Sequence, residues 1–317
     1  MKRALLVGID HYDHHRDLHG CENDAKALHP LFTRNEDGTL NFHCKLLTRA
    51  VTRRQVLDGV RALLADGADF ALLYFAGHGV EVNGDVVLTT TDGQGDVLGV
   101  RFGEVLELIA GSPVKDVVVI LDCCFSGGAG SVALLDSRSA LLRTGVSILT
   151  ASRGDQVSAE DGGRGVFSFH LEGALDGGAA DVLGHVTVAG LYAYLTESFG
   201  PWDQRPTVKT NVDRLHDLRR CKPSVPLETL RRLPTWFPTP DHELPLDPTY
   251  EPDKSRSDLP PHPEHEAVFG QLQVCRANKL VEPVGHQHMY YAAMLGLSCR
   301  LTPLGRHYWQ MASRGYL

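Results

Sequence analysis

The chain has 317 residues, 43% hydrophobic and 22% charged, which is enough apolar material for one ordinary domain plus a smaller one and excludes a disordered protein. The formal net charge of −8 gives no basic footprint of the kind that binds nucleic acid. Seven cysteines, an odd number with no Cys-x-x-Cys spacing, argue against a disulfide framework or a zinc ribbon and fit a reducing cytoplasm.

The opening Met1-Lys-Arg-Ala-Leu-Leu-Val-Gly-Ile-Asp10 is basic at its start, but its apolar run is too short for a signal peptide and reads as a buried strand over 4–9. No segment reaches the ~20 apolar residues of a membrane helix. Asn23 or Asp24 can cap a helix running to about Phe32, with Ala25, Ala27, Leu28 and Leu31 apolar. A strand at 44–48 follows, then a helix over 53–66 whose Val56, Val60 and Leu63 or Leu64 share a face. Phe70-Ala-Leu-Leu-Tyr-Phe-Ala-Gly-His78-Gly79 is nearly continuous in apolar residues and closed by glycine, as buried parallel strands are. Residues 80–90 alternate around Asn83-Gly84, a hairpin turn. A helix over 103–110 leads to a second closed run, Val117-Val-Val-Ile-Leu-Asp122-Cys123-Cys124-Phe-Ser-Gly127. A Gly- and Ser-rich loop, a strand at 146–151, helices near 166–176 and 188–199, and a strand at 207–210 complete the series. Strands alternating with helices predict an α/β fold: an open, mostly parallel six-stranded sheet with helices on both faces.

Composition changes after Lys222. Eleven of the seventeen prolines fall within 223–263, and residues 241–266 carry eight acids and two bases, so 222–265 is expected to be an extended, acidic, Pro-rich linker docked through Trp236 and Phe237. Residues 267–317 reverse the sign, with five bases and one acid. Val268, Leu272 and Cys275 space as one helix face, Thr302-Pro303 is a helix start, and Leu304, Tyr308 and Met311 form a stripe. The expected division is 1–221, 222–265 and 266–317. The last segment resembles the tail of a winged-helix domain, a small α+β unit.

His78 and Cys124 lie 46 positions apart, yet both end apolar strands, and ligands of open α/β sheets bind outside the carboxyl ends of strands. A Cys near a His is the minimal arrangement for thiolate attack on a carbonyl. Alternation along a strand puts Asp122 and Cys124 on one side and Cys123 on the other. The bland reading of either thiol is a buried structural cysteine.

His78-Gly79 and Asp122-Cys123-Cys124-Phe125-Ser126-Gly127 resemble the signatures of the caspase-like cysteine peptidases, the clan of caspases, metacaspases and bacterial orthocaspases. Leu5–Ile9, Tyr12, Gly20-Cys-Glu-Asn-Asp24-Ala25, Val146–Ser152 and Gly165-Val-Phe167 are similar to further metacaspase and orthocaspase motifs, and the resemblance runs to about residue 215. It implies a caspase-like sheet and a cysteine endopeptidase that needs no cofactor. Cys124 would be the nucleophile and His78 its proton partner. The Gly79 and Cys124 N–H groups would form the oxyanion hole. Asp24 and Asp122, with Cys21, Ala76 and Ser152, would line a pocket for Arg or Lys before the cut. Paired carboxylates attract guanidinium and ammonium, whereas a pocket for Asp would need arginines. The bland alternatives are a helix cap for Asp24 and a loop-stabilising role for Asp122.

Arg138, Arg143, Lys254 and Arg256 are candidate self-cleavage sites, because exposed loop segments are where proteases cut. Asp92 and Asp96 offer hard oxygens to calcium, but a plain Asp-Gly turn explains them better. His11, His14, His15 and His19 crowd one loop without metal-ligand spacing, so no metal site is assigned. The resemblance implies a role in bacterial stress, cell-death or antiviral signalling; the cysteine usage implies the cytoplasm, and the carboxy-terminal segment is expected to bind a regulator protein. The competing readings are a caspase-fold scaffold with little activity and a winged-helix nucleic-acid-binding regulator. Retention of both His78 and Cys124 counts against the scaffold, and the modest positive charge of the tail counts against nucleic acid.

Overall fold

Valine, leucine and isoleucine in unbroken runs make strands that must be covered on both faces. The computed structural model describes residues 1–126, 142–151, 160–161, 163–199, 206–213, 216–252 and 259–317. These divide into two units, residues 1–180 with 184–222, and residues 181–183 with 223–317.

The strands of the first unit are β1 (Lys2–Gly8), β2 (His43–Thr48), β3 (Phe70–Val82), β4 (Asp85–Gln94), β5 (Val97–Arg101), β6 (Asp116–Ser126), β7 (Val146–Thr150), the short β8 (Glu160–Asp161) and β9 (Arg164–Gly165), β10 (His185–Thr187), β11 (Thr207–Asn211) and β12 (Asp217–Arg220). Its helices are α1 (Cys21–Thr33), α2 (Arg53–Leu63), α3 (Phe102–Ala110), α4 (Val166–Gly173) and α5 (Val188–Ser198). The main sheet runs β11-β7-β6-β3-β1-β2. Its pairings are parallel except for β11 against β7. These are the six strands expected from the sequence. The sheet has eight because β3 continues past His78 into antiparallel β4, which pairs in turn with β5. The β3–β4 turn is Asn83-Gly84, with φ of 53° and 79°, the positive values a two-residue hairpin requires.

Side-chain alternation splits the core into two layers. Leu5, Val7, Leu73, Phe75, Val119, Leu121 and Cys123 face one way and are covered by Val56, Val60 and Leu63 of α2 and Val105 and Ile109 of α3. Leu6, Leu72, Tyr74, Ala76, Val118 and Ile120 face the other way, under Leu28 and Phe32 of α1, Phe167 and Leu171 of α4, and Leu191 and Leu195 of α5.

The second unit corrects the expectation of an extended linker. Residues 227–231 and 233–236 are helical, and Glu243–Pro245 (β13) pairs with Ser298–Leu301 (β15), which also pairs with Val281–Val284 (β14). Val225, Leu230, Leu233, Trp236, Phe237 and Leu246 are buried with Phe269, Leu272, Cys275 and Tyr308 in one core. Some of the prolines mark helix starts rather than extension, as Pro234 and Pro263 do in the first turns of their helices. Val182 and Leu183 pack into this core too, so the boundary is not a single point near 221. The helix Pro303–Ser313 begins as expected, with the Thr302 hydroxyl accepting from the Gly305 N–H at 3.0 Å. Its buried stripe centres on Tyr308, whereas Leu304 is 42% exposed.

Candidate active site

Parallel pairing of β3 and β6 sets the register Ala76↔Asp122, Gly77↔Cys123, His78↔Cys124 and Gly79↔Phe125. His78 and Cys124 are thus direct Cα partners on adjacent strands at the carboxyl end of the sheet. Cys123 is 1% exposed within the layer under α2 and α3. The side chains of residues 124–126 lie outside the described ones.

The loop after β1 holds His78. Tyr12 is buried, its hydroxyl donates to the Ile9 carbonyl at 3.0 Å, and the His78 backbone N–H donates to that hydroxyl at 2.9 Å. Burial pushes the Tyr12 phenol far above its ordinary range, so it stays neutral. The Tyr12 and His78 rings stand 4.7 Å apart. Gly77 makes this approach feasible, because a Cβ there would fall 2.7 Å from the Tyr12 hydroxyl. The His78 Nε2 lies 2.7 Å from the Arg16 carbonyl oxygen. A carbonyl only accepts, so Nε2 carries a hydrogen, and in the neutral imidazole Nδ1 is then the nitrogen that can take a proton. That carbonyl partner was invisible in the sequence, since any residue supplies one.

Asp24 is not the cap of α1. The helix starts at Cys21 after Gly20, which offers no side-chain cap, and the Asp10 carboxylate accepts from the Cys21 N–H at 2.8 Å and the Glu22 N–H at 3.4 Å. Asp10 therefore supplies the capping oxygen from the end of β1. Asp24, one turn in, points instead at the segment 164–165. Its Oδ1 accepts from Arg164 Nε at 2.5 Å, and its Oδ2 accepts from the Gly165 N–H at 3.0 Å. Arg164 Nη2 also donates to Glu172 at 2.8 Å.

Asp122 shares a buried network with Ser168, whose hydroxyl donates to Asp122 Oδ2 and stands 2.6 Å from the Tyr74 hydroxyl. Asp24 and Asp122 converge. A Cβ on Gly165 would meet Asp24 Oδ2 at 3.0 Å and Asp122 Oδ2 at 3.1 Å, so only glycine fits between the two carboxylates without displacing them. Burial, and secondarily Asp24, push the Asp122 carboxyl up to about 7, against the Ser168 hydrogen bond. Burial also pushes Asp24 up, against the pull of Arg164 and the Gly165 N–H. Burial disfavours the Arg164 charge, but Asp24 and Glu172 outweigh it and hold the guanidinium protonated.

The remaining expected residues are distributed as follows. Cys21 is half-buried at the start of α1, and Ala76 is fully buried beside Asp122 in register. Gly79 lies between Phe125 of β6 and Leu88 of β4. Ser152, Arg138, Lys254 and Arg256 lie outside the described residues. The Arg143 guanidinium is held by the carbonyls of Ile109 at 3.1 Å and Lys115 at 3.3 Å, among others. Its use as a cleavage site would require that cluster to open. Asp92 accepts from the Arg53 N–H at the start of α2 at 2.9 Å and from the Thr90 hydroxyl at 2.7 Å, beside the Thr52 cap of that helix. Among the described residues no group of three or more His, Cys, Asp or Glu side chains could hold a metal ion. No helix among them is long and apolar enough to cross a membrane.

Arg164, Ser168, Tyr74 and Asp10 were missed in the sequence. The available signal was the position of Arg164 and Ser168 around the Gly165-Val-Phe167 motif.

The caspase domain family matches residues 1–209. Metacaspase-1 of Schizosaccharomyces pombe is 26% identical over 204 residues, which cover 54% of this chain and 47% of the yeast protein. The chain thus spans about half the length of that curated relative. The crystal structure of protein GSU0716 from Geobacter sulfurreducens has a similar fold, with a TM-score of 0.53 at 20% identity, covering 70% of this chain and 97% of the other.

Proposed function

The chain belongs to the caspase-domain family of cysteine peptidases, and on that premise we propose that it cleaves peptide bonds after Arg or Lys. The observation that carries the specificity is the convergence of Asp24 and Asp122 around Gly165, with a guanidinium already seated on Asp24. A pocket that holds one guanidinium by a charge-assisted hydrogen bond has the chemistry to hold a substrate's.

In this reading the thiol proton of Cys124 passes to His78 Nδ1. The thiolate attacks the carbonyl carbon, with the Gly79 and Cys124 N–H groups taking the oxyanion. The carbon–nitrogen bond then breaks as the His78 imidazolium gives its proton to the leaving amine. Water hydrolyses the thioester and restores the thiol. The Arg16 carbonyl orients the ring throughout, and Tyr12 fixes the backbone that carries it. We also propose that the carboxy-terminal segment, 266–317, binds a regulator protein in a cytoplasmic stress or defence response.

Asp24→Ala and Asp122→Ala test the pocket. Removing the buried partner of a bound cation costs roughly 2–5 kcal/mol, so kcat/KM for an Arg peptide should fall by at least about tenfold in each. Cleavage of basic peptides at the parent rate in both variants would move the pocket elsewhere.

A further inference from the structure

Two acidic side chains in a dry pocket would ordinarily present up to two negative charges to an incoming cation. Here one of them is already answered from within the chain. Arg164 is borne by β9 on the segment Gly163-Arg164-Gly165 and reaches Asp24, 140 residues away in sequence. Both Asp24 oxygens are taken, one by the Arg164 guanidinium and the other by the next residue's N–H. The Asp24 side chain is 2% exposed, so it has little water to exchange for a ligand. The Arg164 side chain is 25% exposed and its second partner, Glu172, is 37% exposed, so the guanidinium lies nearer solvent than the Asp24 carboxylate. Gly163 holds a φ of 78°, and Gly165 has no Cβ to clash with either carboxylate, so the backbone on both sides of Arg164 is glycine. Asp122 bonds to Ser168 and makes no ion pair among the described contacts.

From this arrangement we propose that Arg164 is a specificity-determining residue of the basic pocket. It neutralises Asp24 in the unliganded enzyme, and a substrate's Arg or Lys must compete with it for that carboxylate. The inference rests on the reading of Asp24 and Asp122 as the pocket. Arg164 is thus an internal competitor that raises the KM for basic peptides and leaves the chemical step alone. A substrate side chain able to take Asp24 and Asp122 together gains over one that reaches Asp122 only. Arg, with five donors in a planar fork, is therefore favoured over Lys by the presence of Arg164.

The test uses the full chain carrying Arg164→Gln, Arg164→Ala or Glu172→Gln, with melting curves to verify folding. The substrates are matched peptides with Arg, Lys or Gln before the cut. Arg164→Gln is expected to lower KM for the Arg peptide by about tenfold, equivalent to about 1.4 kcal/mol, with kcat little changed. It should also narrow the preference for Arg over Lys. Glu172→Gln, which removes one of the two ties of Arg164, should shift KM the same way by less. In a Cys124→Ala background, N-acetylarginine amide should bind the Arg164→Gln protein about tenfold more tightly by calorimetry.

Unchanged or raised KM for the Arg peptide in a folded Arg164→Gln enzyme overturns the proposal and leaves basic specificity standing. Tighter arginine amide binding without cleavage of any basic peptide, in parent or variant, supports the proposal while the cleavage reading falls. Neither binding nor cleavage by any protein defeats both. If both Arg164 variants fail to fold, the KM of Glu172→Gln decides.

Discussion

At the scale of single residues, the candidate chemistry depends on which group holds which proton. Asp122 is the informative case. Its carboxyl is pushed up to about 7 from an ordinary value near 3.8, mainly by burial. Between those values the folded chain keeps a proton that the unfolded chain has released. Stability contributed by this group therefore falls as pH rises from about 4 to about 7 and levels off above. Binding of a basic side chain runs the other way, because it needs the ionised form, so KM for an Arg peptide should fall as pH rises through about 7. Asp122→Asn should flatten both dependences, measured by melting temperature and by KM against pH. Ser168→Ala removes a hydrogen bond that favours the charged form, so the KM limb should move to higher pH. The same change leaves the buried Tyr74 hydroxyl short of a partner and should cost about 1–3 kcal/mol of stability. An unmoved pH limb would mean that Ser168 acts on packing alone. Cys124→Ala should abolish turnover and Cys123→Ala should retain most of it. The reverse pattern would reassign the nucleophile.

At the scale of elements, the strand ends were readable in advance and the helix start was not. Continuous apolar runs closed at His78-Gly79 and Asp122–Gly127 announce buried strands, and the register of β3 and β6 then sets His78 against Cys124. A helix cap at Asn23 or Asp24 is a reading the local sequence leaves open, because it shows only that an acid stands in the first turn. The true cap is Asp10, eleven residues before Cys21, and the true partner of Asp24 is Arg164. Both relations are made by tertiary folding, and no spacing rule exposes them. Asp10→Ala should lower stability by about 1 kcal/mol and loosen α1, the element that carries Asp24. Thermal melting, read with the KM for basic peptides, checks it. A variant as stable as the parent would show that other groups satisfy those N–H donors. Proline density misled in the other direction. Within 223–252 it coexists with Trp236, Phe237 and Leu246, and those buried side chains, rather than the prolines, decide the structure.

At the scale of the whole molecule, a caspase-domain sheet is joined to a second unit with its own core. Trp236→Ala or Phe237→Ala, each buried in that core, should destabilise the second unit by roughly 3–5 kcal/mol and leave cleavage of small peptides by the first unit intact. Loss of peptide cleavage in these variants would tie the second unit to catalysis. The winged-helix likeness of the tail stays an expectation from its sequence, as does self-cleavage at Arg138, Arg143, Lys254 or Arg256. Mapping fragments of the parent and of Cys124→Ala would settle self-cleavage, since only fragments absent from Cys124→Ala arise from the enzyme itself. We propose that this chain is a Cys–His peptidase selecting a basic residue. The most direct measurement is the cleavage profile of a peptide library by the parent and by Cys124→Ala. Cuts are expected after Arg and Lys, almost none after Asp, and none at all from Cys124→Ala. Cuts after Asp or after neutral residues, or an identical profile from Cys124→Ala, would contradict it.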